Sequence, residues 1–174
     1  MSFTILPDPL SPLTADGYKE IAAFNKQVKT LRKAVTATLS TNTELATKLD
    51  QVKSALELAP KADEPAKLQV RELIEKVRVS QRNLRGDSIL AARNENVPES
   101  ISARAGYAAS ANSGALAKPT GTQKQEYADA NKLLAIEVNT LRKILDTELP
   151  ALEKKLEELG APPLPGRLPK LLKE

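Results

Sequence analysis

The chain contains no histidine, no cysteine and no tryptophan among its 174 residues. Without imidazole or thiol, the usual general-base histidines, thiolate nucleophiles, disulfides and common zinc centres are excluded together. The missing cysteine fits any redox compartment and so assigns none. Aromatic side chains are scarce as well: Phe3, Tyr18, Phe24, Tyr107 and Tyr127 are the whole set. A core must therefore be assembled from Leu, Val, Ile and Ala, which suits close helix packing better than a β-sandwich. No apolar run approaches the ~20 residues needed to span a bilayer. The start, Met1 to Pro7, offers neither a basic n-region nor an adequate apolar h-region, so no signal peptide is read there. The chain is expected either to be cytoplasmic or to be a piece of a longer protein whose signal lies elsewhere.

What the chain does have is a heptad. One register reads Ile21, Val28, Val35, Asn42, Leu49 and Leu56; the other reads Phe24, Leu31, Thr38, Leu45 and Val52. Nine of these eleven positions are apolar and no proline or glycine interrupts them, so one long helix presents a narrow seam to partner helices. Asn42 reads as a register-setting polar residue, with Thr38 one turn earlier placed to share a hydrogen bond or water with it.

The flanking punctuation divides the rest. Pro7, Pro9 and Pro12 make residues 1–13 an extended lead-in. Thr14 or Asp16 can cap the first helix, which runs to about Leu58. Asp63-Glu64-Pro65 is a helix start, and Val70, Leu73, Ile74, Val77 and Leu84 form the stripe of a second helix ending at Gly86. Asp87 can cap a short turn through Ala91. Val97-Pro98-Glu99 opens a third helix with Ile101, Ala105, Ala108 and Ala109 on one face, and residues 112–121 form a loop. Thr122 to Gln125 fits a capping box for the last long helix, whose seam reads Tyr127, Leu134, Val138, Leu141, Leu145, Leu152, Leu156 and Leu159. Pro150 should kink or locally break it. Gly160 ends it, and 161–174 is a Pro-rich tail whose leucines lie against the bundle. The predicted fold is all-α: an elongated antiparallel bundle over 14–160, of about four helices with two long, packed as a left-handed coiled coil.

The net charge of +4 is unevenly placed: Ala66 to Arg85 holds six basic residues and two acidic ones, an excess equal to the whole chain's. Arg71, Arg78, Arg82 and Arg85 lie at helical spacing along one edge and are the candidate interaction residues. The plainer reading is a solvated flank whose heads meet neighbouring glutamates, since no stacking aromatics interleave them as a nucleic-acid platform needs. Arg85-Gly86-Asp87 matches an adhesion tripeptide, but glycine and aspartate there already serve as helix stop and helix cap. Acidic residues such as Glu72, Glu75, Glu153, Glu157 and Glu158 alternate with basic ones, as Glu72 with Lys76 and Glu75 with Arg78, the pattern of exposed helix pairs. No phosphate loop, nucleophile elbow or calcium loop is present. No catalytic, cofactor-binding or metal-binding residue is assigned.

The second half carries a resemblance. Leu84-Arg85-Gly86-Asp87-Ser88-Ile89-Leu90-Ala91-Ala92-Arg93-Asn94-Glu95 is followed by Val97-Pro98-Glu99-Ser100-Ile101-Ser102-Ala103-Arg104, then by Pro119-Thr120-Gly121-Thr122-Gln123 and Tyr127. The chain closes with Asp146-Thr147-Glu148-Leu149-Pro150-Ala151-Leu152-Glu153 and Gly160-Ala161-Pro162-Pro163-Leu164-Pro165-Gly166-Arg167-Leu168-Pro169. This order resembles the extreme C-terminal region of large bacterial sortilin-like β-propeller proteins with Asp-box repeats, a family often labelled glycosyl hydrolases. The lead-in Pro7 to Leu13 is similar to the junction after such a propeller. Pro163 stands where the family pattern has tryptophan, a change that bears on how the tail docks. The resemblance implies a helical C-terminal domain of an exported parent, without the propeller or its Asp boxes, so it carries over no catalytic residue. The expected role is a non-catalytic accessory or interaction domain whose partner is its own propeller or another subunit, a homodimer included. The alternative is a basic helical module binding nucleic acid or an anionic surface. A free-standing hydrolase ranks last, because no acid/base pair can be placed.

Overall fold

A computed structural model describes residues 13–110 and 117–165, and its described residues form an all-α bundle. The helices are α1 (Ala15–Glu57), α2 (Glu64–Arg85), α3 (Ser88–Ala92), α4 (Ile101–Ala109), α5 (Gly121–Lys143) and α6 (Leu149–Glu158), the last two joined through a π-turn at Ile144–Glu148. The expected lead-in at 1–12, the loop residues 112–116 and the tail beyond Pro165 lie outside the described residues.

Three columns make the bundle. The first is α1, 43 residues and therefore about 64 Å long. The second is α2 followed end to end by α4, running against α1: Asn42 meets Val77 on α2, while Phe24 and Val28 cluster with Ala108 on α4. The third is α5, the π-turn and α6, running with α1, because Lys124 reaches Glu20, Tyr127 meets Phe24 and Lys48 reaches Glu153. Each column keeps a 4-3 spacing of buried residues toward the others, the spacing of left-handed coiled-coil packing. On α1 it runs from Phe24 through Val28, Leu31, Val35, Thr38, Asn42, Leu45, Leu49 and Val52 to Leu56. On α2 it runs Ala66, Val70, Leu73, Val77, Ser80 and Leu84; on α5, Ala130, Leu134, Glu137 and Leu141. Of the predicted α1 seam only Ile21 is half-exposed. Fully buried Leu45, Leu49, Leu84, Ile101, Ile144 and Leu152 each contribute about 1.5–3 kcal/mol by removal from water.

The caps explain where helices start. Gly17 N–H donates to Thr14 Oγ1 at 3.2 Å, so Thr14 rather than Asp16 opens α1. Asp63 accepts from Ala66 N–H at 2.7 Å with Pro65 in the first turn, as the sequence predicted. Gly86 ends α2 at φ 96°, a backbone that side chains rarely adopt, and Asp87 accepts from the Ile89 and Leu90 amides. The glycine and aspartate of the adhesion-like tripeptide are thus structural. Two starts differ from expectation. Helix α4 opens at Ser100, whose hydroxyl accepts from Ala103 N–H, because the stretch Val97-Pro98 stays extended ahead of it. The capping box of α5 is Thr120 with Gln123, two residues before the predicted one; Gln125 instead donates to Asp129.

The largest correction concerns the third column's face. Ile144 and Leu149 are buried where Leu145 was expected, Glu137 faces inward in place of the half-buried Val138, and Leu145 is exposed. Pro150 has no N–H and its ring would strike the carbonyl four residues back. The chain widens by one residue instead, Leu149 N–H bonding to Ile144 C=O, and the apolar spacing becomes Ile144, Leu149, Leu152 and Leu156. Beyond Gly160, Ala161 and the buried Leu164 pack on the same core, as expected for Leu164, while the tail's other leucines lie outside the described residues.

Replacing Leu45, 2% exposed, by Asp buries an unpaired charge in the tightest part of the seam. Leu45→Asp is expected to abolish the cooperative melt, and wild-type helicity and melting temperature by circular dichroism would refute the seam. The Ala66 amide first, then the Lys155 ammonium, hold the Asp63 carboxyl below its ordinary value. A depressed pKa stabilises above the unfolded value of about 3.9, and that contribution fades as pH falls through the folded value. Asp63→Asn keeps a capping oxygen but not the titration, so its melting temperature should fall less than wild type's between roughly pH 5 and pH 3.

Candidate functional site

The arginine edge splits into two parts. Arg78, Arg82 and Arg85 line one open groove of about 700 Å³, whose other wall is built from Gly86 to Ile89 and Val97 to Ser100. Arg71, about two turns earlier on α2, does not line it. Glu75 meets Arg82 at 3.1 Å and Arg78 at 4.0 Å, which is the neighbouring-glutamate arrangement expected of a solvated flank. All three residues of this cluster are at least half exposed, so the ion pairs add little stability. Arg85 has no carboxylate at ion-pair distance among the described residues. Ile89, 65% exposed, lines the same groove, which therefore joins arginine side chains to an exposed apolar one. The groove exists because Gly86 stops α2 and Pro98 keeps the next segment extended before α4 resumes the column.

A second cleft lies between α2 and α5, lined by Val79, Ser80, Asn83, Glu137 and Thr140 with Glu72, Glu75 and Lys76, and holds about 440 Å³. Its floor belongs to a polar layer that crosses the bundle. The apolar cluster around Leu45, Val77 and Leu141 and the cluster around Val35, Leu84 and Leu134 are separated along the rod by Thr38, Asn42, Ser80 and Glu137. Asn42, wholly buried, donates from Nδ2 to the Val77 carbonyl at 3.1 Å, while its Oδ1 has no partner. Thr38 does not join it: its hydroxyl donates to Ala34 C=O at 2.8 Å, satisfied within its own helix. Asn83 Nδ2 donates to Glu137 Oε1 at 2.9 Å. Ser80 Oγ is buried without a partner.

Sequence reasoning missed Ser80 and Glu137 as inward-facing residues. The signal was present in the spacing, since Ser80 follows Val77 by three and precedes Leu84 by four, and Glu137 sits in the same relation to Leu134 and Leu141. One predicted helix-surface pair and one acid expected on an exposed face also differ. Lys76 reaches Glu148 at 3.0 and 3.1 Å rather than Glu72, because the α6 column runs beside it. Glu153 is buried and meets Lys48 at 2.8 Å across to α1. Carboxyls held below their ordinary values are found at helix starts: Glu20 by hydrogen bonds from Lys124 and Lys118, and Glu64 by Lys67. Among the described residues, no three His, Cys, Asp or Glu side chains group as a metal site would require, and no helix is long and apolar enough to cross a membrane. No family model, curated protein or solved structure matches this chain.

Asn42 sets one hydrogen bond, worth about 1 kcal/mol, against an unsatisfied buried carbonyl costing about 1–3 kcal/mol. Asn42→Leu has similar shape and removes both, so it should raise stability by about 1 kcal/mol in urea unfolding, with an unchanged m-value. A loss of stability would show that Asn42 is fully satisfied in solution.

Proposed function

We propose that this chain is a non-catalytic helical docking module, the C-terminal domain of a larger exported β-propeller protein, and that it binds an acidic protein surface through the groove of Arg78, Arg82 and Arg85. The observation that carries this reading is that Arg78, Arg82 and Arg85 line one open groove with the exposed Ile89, and that Arg85 has no carboxylate at ion-pair distance among the described residues. Arginine beside an apolar anchor is the composition of protein-binding surfaces. Asp87 and Glu99 line the same groove and lower its net positive charge, which favours a mixed protein face over a polyanion such as nucleic acid. The parent's architecture rests on the residues from Leu84 onward that resemble the sortilin-like propeller family, and the propeller itself is the partner proposed.

The test places a photo-crosslinking phenylalanine analogue at position 89 of the gene product in its native host. The expected result is one cross-linked species whose attachment site maps to a β-propeller, and which disappears in the Arg82→Glu/Arg85→Glu double variant. Cross-links to nucleic acid or lipid, or a protein product that survives the charge reversal, would overturn the proposal.

A further inference from the structure

We propose that the cleft between α2 and α5 is a binding site for a primary alkylammonium group, seated on Glu137 and Ser80. Glu137 is 7% exposed and lines the cleft, yet its carboxylate has no cation at ion-pair distance among the described residues. Buried carboxylates in folded proteins are ordinarily paired with a cation or held by several donors. Here the single donor is Asn83 Nδ2, bound to Oε1. Ser80, 1% exposed, lines the same cleft with a hydroxyl that has no partner. A buried carboxylate without a cation and a buried hydroxyl without a partner therefore meet at one place.

The chemistry of what completes them follows from the acceptors. Glu137 Oε2 and Asn83 Oδ1 belong to residues that line the cleft, and Ser80 Oγ, closed to solvent as it stands, becomes a third acceptor on rotation of its side chain, a match in number for the three N–H donors of an –NH3+ head. A guanidinium fork fits less well, since it favours both oxygens of one carboxylate and Oε1 is already engaged. A divalent metal would need further hard ligands, and no such grouping exists among the described residues. Val79 and the Thr140 methyl supply an apolar wall for an alkyl stem, and the Thr140 hydroxyl is turned to its own helix at Ile136 C=O. At the rim Glu75 is already paired with Arg82 at 3.1 Å and Lys76 with Glu148 at 3.0 Å, which leaves Glu72 as the rim carboxylate with no cation at ion-pair distance among the described residues. This site is independent of the arginine groove and does not rest on the docking role.

The experiment titrates the full chain at neutral pH with n-butylamine, following amide shifts of Ser80, Asn83 and Glu137 by NMR, with 1-butanol as the neutral control of the same shape. Saturable shifts with the amine and none with the alcohol are expected. Glu137→Gln keeps the oxygen that accepts from Asn83 but removes the charge, and should weaken binding about tenfold or more. Ser80→Ala should weaken it about threefold and serves as the second variant if Glu137→Gln does not fold. Equal shifts with 1-butanol, no saturable shift with the amine, or wild-type affinity in a folded Glu137→Gln would overturn the site. Putrescine and Nα-acetyl-lysine amide distinguish the sources: tighter diamine binding assigns a free polyamine, and tighter lysine binding assigns a side chain of a partner protein.

Discussion

Everything in this rod depends on three columns each keeping a 4-3 face toward one shared axis. The core is built from Leu, Val, Ile and Ala, with Phe24 the one buried aromatic among the described residues. Side chains of that size span the gap between helices only when the helices pack closely and in register. One residue of slip turns a helix by about 100°, which would carry a whole stripe off the axis. Pro150 threatens such a slip, and the π-turn absorbs it: one extra residue between Ile144 and Leu149 lets both the α5 and the α6 faces point inward. The turn is therefore part of the packing solution and not a defect in the helix.

Within this register the three columns bring Asn42 on α1, Ser80 on α2 and Glu137 on α5 to one level, with Thr38 a turn away on α1 and Glu153 buried further along the third column. Asn42, Ser80 and Glu137 would be more stably replaced by apolar residues if packing were the only demand. Their shared level gives the bundle an alignment that Leu and Val alone do not enforce. A slip of α2 by one heptad would bring Leu73 to the level of Ser80 beside Asn42 and would part Asn83 from Glu137. The polar layer thus sets the register, with the Asn83–Glu137 hydrogen bond tying α2 to α5 at that level.

Sequence periodicity made α1 and α2 legible almost residue by residue, because Asp63, Gly86 and Asp87 punctuate them with side chains whose capping chemistry is local. The same logic misplaced the start of α5 by two residues, since Thr120 and Thr122 each have a glutamine three residues on and only tertiary packing chooses between them. The third column was harder still. Leu134, Leu141, Leu152 and Leu156 of the expected seam are buried, whereas Val138 and Leu145 lie one residue past the 4-3 positions Glu137 and Ile144, and the five-residue step from Ile144 to Leu149 comes from the π-turn, a backbone change that residue spacing does not encode. Long-range pairs such as Lys76 with Glu148 and Lys48 with Glu153 were hidden for a related reason. Helical spacing reports neighbours on one helix and is silent about which lysine faces the next column.

The candidate surfaces arise where the column rule is interrupted or strained. Columns one and three run without a gap, whereas column two stops at Gly86 and resumes at Ser100. The intervening residues cannot fill the place of a continuous helix, so they fold outward and leave the groove that gathers Arg78, Arg82, Arg85 and Ile89. The α2–α5 cleft opens at the neighbouring level, where small Ser80 and polar Asn83 replace the leucine-sized side chains that close the bundle above and below. Helix α2 contributes to both, its charged edge outward and its polar core position inward. A rod whose packing is otherwise repetitive thus concentrates its chemical individuality on one helix, next to the one break in its columns.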